Sequence, residues 1–299
     1  MYKKGVVPIV ILLILFIVGA FAIYLAGQAA RNRASNSQKD ATESSSPAAP
    51  QPVATPPAPA PKKVVKVYAT PAPAPTPQPT AATINANTTV LTYSLSAITV
   101  VTDTGNDNNC DNNCTVMPLA EYVARNGGRA GMNGTYFCPP DYASCASAVN
   151  SFNYGVYNSR LGHWVNEDKL SWNDRGMFVF RQGSAQFFPV SASAGVPGGI
   201  TGGIVNYPSL IAGGQVVLNE SSLPSNLMSK GTRTGIGTGG GKLFLVIARN
   251  ANMSDMVGIF QSLGVTDALN LDGGGSVAMY EGSYKAGPGR NLPNALIIK

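Results

Sequence analysis

A Pro- and Ala-rich stretch, residues 31–83, limits how much of this 299-residue chain can form a packed core. Pro, Ala, Ser, Thr and Gln dominate the stretch and large apolar side chains are scarce, a composition that favours extended chain over a folded domain. We interpret it as a disordered linker. The globular part is then predicted to be residues 84–299, which is long enough for one domain with a buried core.

Residues 1–30 precede the linker and have the composition of a membrane anchor. Residues 6–25 carry no charge, and a helix needs about 20 apolar residues to cross a bilayer. A signal peptide is the alternative, since small residues at 26–30 would suit cleavage, although signal cores usually run about 7 to 15 residues. Because Lys3 and Lys4 favour a cytoplasmic N-terminus, we expect a single-pass cell-membrane protein. Its C-terminal domain would lie outside the cytoplasm, or be secreted if the segment is cleaved.

The charge distribution argues against a nucleic-acid partner. The chain has a net charge of +6, but residues 1–83 contain eight Lys or Arg and two Asp or Glu, whereas residues 84–299 contain thirteen of each. The predicted domain is therefore formally neutral and lacks the basic excess that nucleic-acid binding requires.

Short apolar runs separated by Gly, Asn, Asp and Pro predict a strand-rich domain with few helices, of the α+β class. The predicted strands are residues 96–102, 129–133, 176–180, 184–188, 214–218, 242–248, 266–271, 276–280 and 294–298. Helices are predicted at 118–125, with a stop at Asn126-Gly127-Gly128, and at 254–263, capped by Asn252 or Ser254 and ended by Gly264.

Four cysteines lie in polar segments of the predicted domain, at Cys110, Cys114, Cys138 and Cys145. An even count in a chain outside the cytoplasm indicates disulfides, and the short separations make Cys110–Cys114 and Cys138–Cys145 the simplest of the three connectivities. Zinc binding is the alternative, but spacings of three and six residues match no common zinc pattern. The single histidine, His163, is a minor candidate for a functional group. We predict no metal and no cofactor.

The stretch Asp272-Gly273-Gly274-Gly275 is either an anion-binding turn or an ordinary glycine-rich hairpin, since successive glycines let backbone N–H groups converge. Two familiar site types are excluded. Gly239-Gly240-Gly241-Lys242 lacks the Ser or Thr and the helix that follow a P-loop lysine, and Gly275-Ser276-Val277-Ala278 lacks the second glycine of a serine-hydrolase elbow.

Five polar signatures occur in order along the predicted domain. They are Met132-Asn-Gly-Thr-Tyr-Phe137, Asn206-Tyr-Pro-Ser-Leu-Ile-Ala-Gly-Gly214, Arg233-Thr-Gly-Ile-Gly237, Asn270-Leu-Asp-Gly-Gly-Gly-Ser276 and Arg290-Asn-Leu-Pro-Asn294. Together they resemble the phosphodiester glycosidase family, which includes the enzyme that uncovers mannose 6-phosphate and bacterial exopolysaccharide-related proteins. The resemblance spans about residues 84–299. It implies hydrolysis of the bond between a sugar's anomeric carbon and a phosphodiester.

Hydrolysis of a sugar 1-phosphodiester requires recognition of an anion and stabilisation of an oxocarbenium-like transition state. We predict Asp272 and Arg233 as catalytic residues: the Asp272 carboxylate would stabilise positive charge, act as a base toward water or bind hydroxyls, and Arg233 would hold the phosphate. The predicted substrate-binding residues are Asn133, Gly134, Asn270, Gly273, Gly274, Gly275, Ser276 and Arg290. Each also has an ordinary structural interpretation, such as a turn, a cap or an ion pair.

The early signature departs from the commoner family pattern. Asn-Gly-Thr-Tyr-Phe is followed here by Cys138-Pro139-Pro140-Asp141, where many family members have Asn-Gly-Gly-Phe-Phe and an acidic residue directly after it. Glycosidases usually employ two carboxylates, and the sequence does not indicate which residue would be the second. Asp141, Asp174 and Glu281 are the alternatives.

The expected function is a membrane-anchored extracytoplasmic hydrolase that cleaves a sugar 1-phosphodiester or a polysaccharide substrate in cell-envelope or extracellular polysaccharide metabolism. The alternative is a non-catalytic envelope module that binds glycans or assists assembly. Release of sugar by residues 84–299 distinguishes the two.

Overall fold

The computed structural model describes residues 87–299. The predicted anchor and linker, residues 1–30 and 31–83, lie outside the described residues and stay predictions. Within residues 87–299, no helix has the length and hydrophobicity needed to cross a bilayer.

Sixteen strands and three α-helices make up the regular structure of residues 87–299. The strands are β1 (Thr88–Ser94), β2 (Val100–Thr104), β3 (Ala130–Asn133), β4 (Val156–Asn158), β5 (His163–Val165), β6 (Gly176–Arg181), β7 (Ser184–Phe188), β8 (Gly202–Asn206), β9 (Ser209–Ala212), β10 (Gln215–Val216), β11 (Gly231–Gly239), β12 (Lys242–Ala251), β13 (Asp267–Leu271), β14 (Met279–Glu281), β15 (Ser283–Ala286) and β16 (Asn294–Ile298). The helices are α1 (Leu119–Arg125), α2 (Ser225–Met228) and α3 (Met253–Ser262). The expectation of a strand-rich domain with few helices is confirmed for this part of the chain.

The strands form three sheets. Sheet A has the order β1-β12-β11-β13-β9-β10, sheet B the order β15-β14-β3-β16-β2, and sheet C the order β5-β4-β8-β6-β7. The ladders among these strands are antiparallel. Sheet A carries β11 and β13 side by side, with Thr234 paired to Leu271 and Gly235 to Asn270, so the two polar signatures of these strands are neighbours.

The main core lies where the three sheets meet. Sheet A contributes Leu245 and Leu269, sheet B contributes Met132 and Leu296, and sheet C contributes Phe178, all of them fully buried. Burial of a side chain of this size contributes roughly 1.5 to 3 kcal/mol relative to exposure. This shared core therefore holds the sheets against one another and fixes the loops at their ends.

Helix α3 covers the opposite face of sheet A. It begins with a capping box, in which the Asn252 side chain accepts from the N–H of Asp255 at 3.0 Å and the Asp255 carboxylate accepts from the N–H of Asn252 at 2.7 Å. Gly264, with φ of +73°, follows its end. Phe260 packs against strands β12 and β13 in a second apolar cluster. The predicted helix at 254–263 is thus confirmed with a shift of one residue.

The cysteines pair as the short separations suggested. Cys110 is bonded to Cys114 and Cys138 to Cys145, with Cα–Cα distances of 5.7 and 5.3 Å. Within residues 87–299 no free cysteine is present and no group of three His, Cys, Asp or Glu side chains is arranged to hold a metal ion. The disulfide prediction is confirmed.

Candidate functional site

Asp272 follows directly after β13, and three hydrogen bonds fix its backbone. Its N–H donates to the carbonyl of Gly134 at 3.0 Å, and its own carbonyl accepts from Asn133 Nδ2 at 2.7 Å and from Thr234 Oγ1 at 2.5 Å. These partners come from β3, the turn after it and β11. Two sheets therefore meet at this residue and determine where its carboxyl group points.

The Asp272 carboxyl group is closely surrounded by protein, although the residue keeps partial solvent exposure. Burial raises the pKa of this carboxyl to about 7. Hydrogen bonds from Ser276 and from the N–H of Gly273, together with the charge of Arg290, favour the ionised form and act in the opposite direction. The group is thus able to exchange a proton near neutral pH. Such a raised pKa is typical of a carboxyl that takes part in acid–base chemistry.

The glycine-rich turn after Asp272 donates a backbone hydrogen bond to the Asp272 carboxylate. The N–H of Gly273 donates to Asp272 Oδ1 at 2.9 Å, and the N–H of Ser276 returns to the carbonyl of Gly273 at 3.2 Å. Gly274 has φ of +58°, which few other residues adopt readily. The structure therefore corrects one part of the anion-turn hypothesis: at least the Gly273 N–H is directed to Asp272 itself.

Arg290 lies on this turn. A Cβ atom at Gly275 would lie 2.8 Å from its Cζ, so a larger residue there would displace the guanidinium from this position. The guanidinium donates to Asp141 Oδ2 at 2.5 Å, approaches Ser276 Oγ at 3.5 Å and lies 5.1 Å from the ring of Tyr142. Arg290 thereby joins the glycine turn to the loop that the Cys138–Cys145 disulfide closes.

Asn133 has a supporting role that differs from the expected one. It is fully buried; its Nδ2 donates to the Asp272 carbonyl and approaches Thr234 Oγ1 at 3.3 Å, and its Oδ1 accepts from the N–H of Ala278 at 3.1 Å. The side-chain amide of Asn133 thus bonds to Asp272 before the glycine turn and to Ala278 after it. The geometry does not support the prediction that Asn133 binds substrate, because its amide groups already have protein partners.

Gly134 and Ser276 are also buried within the site. A Cβ atom at Gly134 would lie 1.8 Å from Asn294 Oδ1, and its carbonyl accepts from Asp272. Ser276 is 1% exposed and lies between Arg290 and the Asp272 carboxyl. Both residues shape the surroundings of Asp272 without presenting a surface to solvent.

Arg233 also differs from its predicted role. Its Nε donates to the carbonyl of Ala251 at 3.2 Å, and its Nη2 donates to the carbonyls of Asn226 and Ser229 at 2.5 and 2.7 Å. These bonds attach the α2 segment to β11. A guanidinium with these donors occupied by backbone oxygens is a structural clamp, so the geometry does not support Arg233 as the phosphate-binding fork.

Asn270 links the site to a tyrosine that the sequence analysis did not single out. It is fully buried, and its Nδ2 donates to Tyr136 Oη at 2.6 Å and to the carbonyl of Tyr207 at 2.9 Å. Its Oδ1 has no hydrogen-bond partner among the described residues. Burial, followed by the charge of Asp272, raises the pKa of Tyr136 well above its usual range. Tyr136 therefore keeps its proton, and Asn270 acts by positioning it.

The ring of Tyr136 lines two adjoining cavities of about 330 and 410 Å³, which we call the aromatic cleft. Both cavities share Tyr136, Tyr154 and Arg175. Trp172 lines the first cavity and Tyr207 the second. Asp272 does not line either cavity, but its charge acts on Tyr136 and Tyr154, which line both of them.

The sequence of residues 126–299 matches the family model for phosphodiester glycosidase. The match covers more than half of the chain and includes every residue described above around Asp272. The chain belongs to the phosphodiester glycosidase family. A search of curated proteins finds no match.

Two solved structures are similar to this phosphodiester glycosidase family member, and the one with a TM-score above 0.5 shows a related fold. The catalytic domain of zebrafish N-acetylglucosamine-1-phosphodiester alpha-N-acetylglucosaminidase, auto-inhibited by its pro-peptide, is similar with 16% identity and a TM-score of 0.51, over 73% of this chain and 85% of that one. A hypothetical protein from Synechocystis has 14% identity and a TM-score of 0.49, over 71% of this chain and 58% of that one. A likeness at such identities concerns the fold.

The three acidic residues weighed as a second carboxylate of a phosphodiester glycosidase are placed differently from Asp272. Asp141 pairs with Arg290, and Glu281 accepts from Tyr93 Oη at 2.8 Å at the end of β14 that lies away from Asn133. Asp174 pairs with Arg175 and lines the aromatic cleft. His163 lies in sheet C, where its Nε2 is 2.7 Å from the carbonyl oxygen of Asp107.

Sequence reasoning missed the aromatic side of this family member's site. Tyr136 and Tyr207 belong to two of the polar signatures, so their positions in the sequence could have indicated that they lie near the site. Tyr154, Trp172 and Arg175 come from loops that precede β4 and β6 and carry no recognisable pattern. Their convergence depends on how sheets A and C pack, which spacing along the chain does not reveal.

Proposed function

We propose that this chain is a hydrolase that cleaves the bond between the anomeric carbon of a sugar and a phosphodiester. Family membership supports the reaction class. The observation that carries the proposal is the carboxyl of Asp272, whose pKa burial raises to about 7 and whose charge acts on Tyr136 and Tyr154, two rings that line the aromatic cleft.

In the proposed reaction the ionised Asp272 acts as a base. Water attacks the anomeric carbon and gives its proton to the Asp272 carboxylate, while the bond from that carbon to the phosphate oxygen breaks and its electron pair leaves with the phosphate monoester. The leaving phosphate already tolerates negative charge, so water is the partner that needs a proton acceptor. The aromatic rings of the cleft would pack against the apolar face of the sugar.

We further propose that the domain acts outside the cytoplasm, attached to the cell membrane, on polysaccharide or other envelope glycans that carry a sugar 1-phosphodiester. The apolar run at residues 6–25 and the Pro- and Ala-rich residues 31–83 support a tethered arrangement. A linker of this kind lets a domain reach substrate at some distance from the bilayer.

Hydrolysis of a panel of hexose 1-(benzyl phosphate) diesters in ¹⁸O-labelled water tests the proposal. The expected products are an ¹⁸O-labelled reducing sugar and unlabelled benzyl phosphate, because the bond at carbon is the one that breaks. Asp272→Asn should lower kcat by about 10² to 10⁴, and Asp168→Asn, an exposed carboxylate paired with Lys169, should leave kcat unchanged.

Label in the phosphate product would make the chain a phosphodiesterase and overturn the proposal. Absence of turnover on the whole panel, with glycan binding retained, would favour the non-catalytic envelope module. Equal activity of Asp272→Asn and the unmodified chain would remove Asp272 from the reaction.

A further inference from the structure

Arg175 is held in a cage of aromatic rings at the start of β6. Its Cζ lies 4.7 Å from the ring centroid of Trp172, 5.0 Å from that of Tyr207 and 5.5 Å from that of Tyr154. A guanidinium over aromatic faces gains electrostatic stabilisation, and flat contacts on several sides restrict its rotation. The side chain is therefore fixed in orientation before any ligand arrives.

Part of the hydrogen-bonding capacity of Arg175 is unused, although its guanidinium also interacts with the Tyr154 hydroxyl. Its Nε is buried and has no hydrogen-bond partner among the described residues. Its ion pair within that part of the chain is with the neighbouring Asp174, whose side chain is 65% exposed, whereas the Arg175 side chain is 20% exposed. Because the carboxylate of this pair is largely exposed, water and salt screen the interaction, and another anion is able to replace it.

The other arginines near the site are engaged differently. Arg233 donates to three backbone carbonyls, and Arg290 is paired with Asp141 and lies on the glycine turn. An anion entering the aromatic cleft would have to displace several bonds to reach either of them. At Arg175 it would displace the exposed carboxylate of Asp174 and compete with the Tyr154 hydroxyl.

Arg175 also lies on the side of Asp272. It shares both cavities of the aromatic cleft with Tyr136, whose hydroxyl is held by Asn270 two residues before Asp272. The charge of Asp272 acts on both Tyr136 and Tyr154, which places the carboxyl, the two phenols and the guanidinium in one neighbourhood.

A phosphodiester carries one negative charge on two non-bridging oxygens, and a planar guanidinium fork can donate to both. We propose that Arg175, in its cage of Tyr154, Trp172 and Tyr207, is the residue that binds the phosphate of the substrate. This inference rests on the proposed function for the identity of the ligand, and it assigns the phosphate to Arg175 in place of Arg233 or Arg290.

The test measures binding to the full chain carrying Asp272→Asn, so that substrate is not consumed. The probes are a hexose 1-(benzyl phosphate) diester and the neutral benzyl glycoside of the same sugar, titrated by calorimetry. Adding Arg175→Gln should weaken diester binding about 10- to 100-fold, the range expected for loss of charge-assisted hydrogen bonds. Binding of the neutral glycoside should stay within about 2-fold.

Two further variants separate charge, geometry and folding. Arg175→Lys keeps the charge but loses the fork, and should give an intermediate loss. Arg181→Gln removes an exposed arginine at the other end of the same strand and should leave the affinity for both probes unchanged. Unchanged diester affinity in Arg175→Gln would overturn the inference, as would an equal loss for both probes, because the cage would then have only a structural role.

The outcome is distinguishable from failure of the proposed function. If the unmodified chain shows no hydrolysis, yet binds the diester and loses this binding with Arg175→Gln, the proposed hydrolysis is wrong and the phosphate-binding role of Arg175 is supported. If the chain hydrolyses the diester and Arg175→Gln leaves KM unchanged, the phosphate-binding role of Arg175 is wrong and the proposed hydrolysis is supported.

Discussion

At the scale of single residues, the polar side chains of the signatures divide into two kinds. Asn133 and Asn270 are fully buried and bond to protein, so they hold other groups in place. Asp272 is the ionisable residue among these three, and its surroundings raise the pKa of its carboxyl to about 7. The sequence predicted all three for one site, and the structure brings them close together. The sequence could not distinguish supporting residues from reacting ones, because that depends on partners more than 100 residues away.

The raised pKa of Asp272 predicts how activity depends on pH. If the ionised carboxylate is the base, kcat/KM rises with pH through an apparent pKa near 7 and reaches a plateau above it, because a phosphodiester has no titration in that range. Initial rates between pH 5 and 9 on the benzyl phosphate diester check this. A rate that falls through pH 7 would instead identify Asp272 as an acid.

The same pKa predicts how stability depends on pH. Folding raises the carboxyl's pKa above its ordinary value, so the folded state binds more protons and loses stability as pH rises from about 4 to about 7. Asp272→Asn removes this loss while keeping an acceptor for the Gly273 N–H. We expect the variant to be more stable than the unmodified chain by about 1 to 3 kcal/mol at pH 8, and the difference to shrink toward pH 4. Urea unfolding at both pH values measures it, and a difference independent of pH would contradict the assignment.

At the scale of elements, glycines explain where strand prediction succeeded and where it failed. Strands rich in β-branched and aromatic residues, such as β6, β7 and β16, were predicted to within a residue. Strand β8 was missed because it begins with two glycines, and glycine is depleted in strands. Gly203 is needed there, since a Cβ atom would lie 2.3 Å from the Trp164 ring. Strand β1 was missed although its sequence, Thr-Thr-Val-Leu-Thr-Tyr-Ser, is ordinary for a strand.

Strand β11 provides a test of this close packing. A Cβ atom at Gly237 would lie 2.6 Å from Val265 Cγ1 and 3.0 Å from the ring of Phe260. Gly237→Ala should therefore destabilise the domain by about 1 to 3 kcal/mol, through displacement of α3 from sheet A. Gly198→Ala is the matched control, because a Cβ atom there meets nothing within 4 Å. Chemical denaturation of both variants measures their free energies of unfolding. Equal values would contradict the prediction and show that α3 shifts without loss of stability.

The Cys138–Cys145 loop provides a second test at this scale. It carries Asp141 and Tyr142, which contact Arg290 above the glycine turn. The paired substitution Cys138→Ser with Cys145→Ser should lower kcat/KM by roughly 10-fold, since ordering of the loop is lost near the site. The paired substitution Cys110→Ser with Cys114→Ser, in a loop without contacts to Arg290, is the control for loss of a disulfide. Equal effects on kcat/KM would contradict the special role of the first loop.

At the scale of the whole molecule, composition indicates a division of the chain, which stays a prediction, but it does not indicate the architecture of the folded part. The contrast between the Pro- and Ala-rich segment and the remainder is a property of local sequence. The three sheets and their strand orders arise from pairings such as β2 with β16, which join residues almost 200 positions apart. No local pattern encodes such partners.

If residues 1–30 are an anchor and residues 31–83 a linker, as the sequence predicts, they determine how the full chain behaves in a cell. The full chain should sediment with membranes and require detergent for release, whereas residues 84–299 alone should stay in the supernatant with the same kcat/KM. Fractionation at high salt and at alkaline pH, which strip peripheral proteins, measures this. A full chain recovered in the supernatant with residues 1–30 removed would indicate a cleaved signal peptide.

The strand order of sheet B has a consequence for biosynthesis. Strand β16, residues Asn294–Ile298, lies between β2 and β3, two strands that the ribosome makes about 160 residues earlier or more. Until that late segment emerges, β2 and β3 have no neighbour to separate them, and both present unpaired backbone edges. Sheet B therefore cannot be completed before β16 is available, and these distant pairings are expected to form slowly. Until then the edges of β2 and β3 are open to wrong strand pairing.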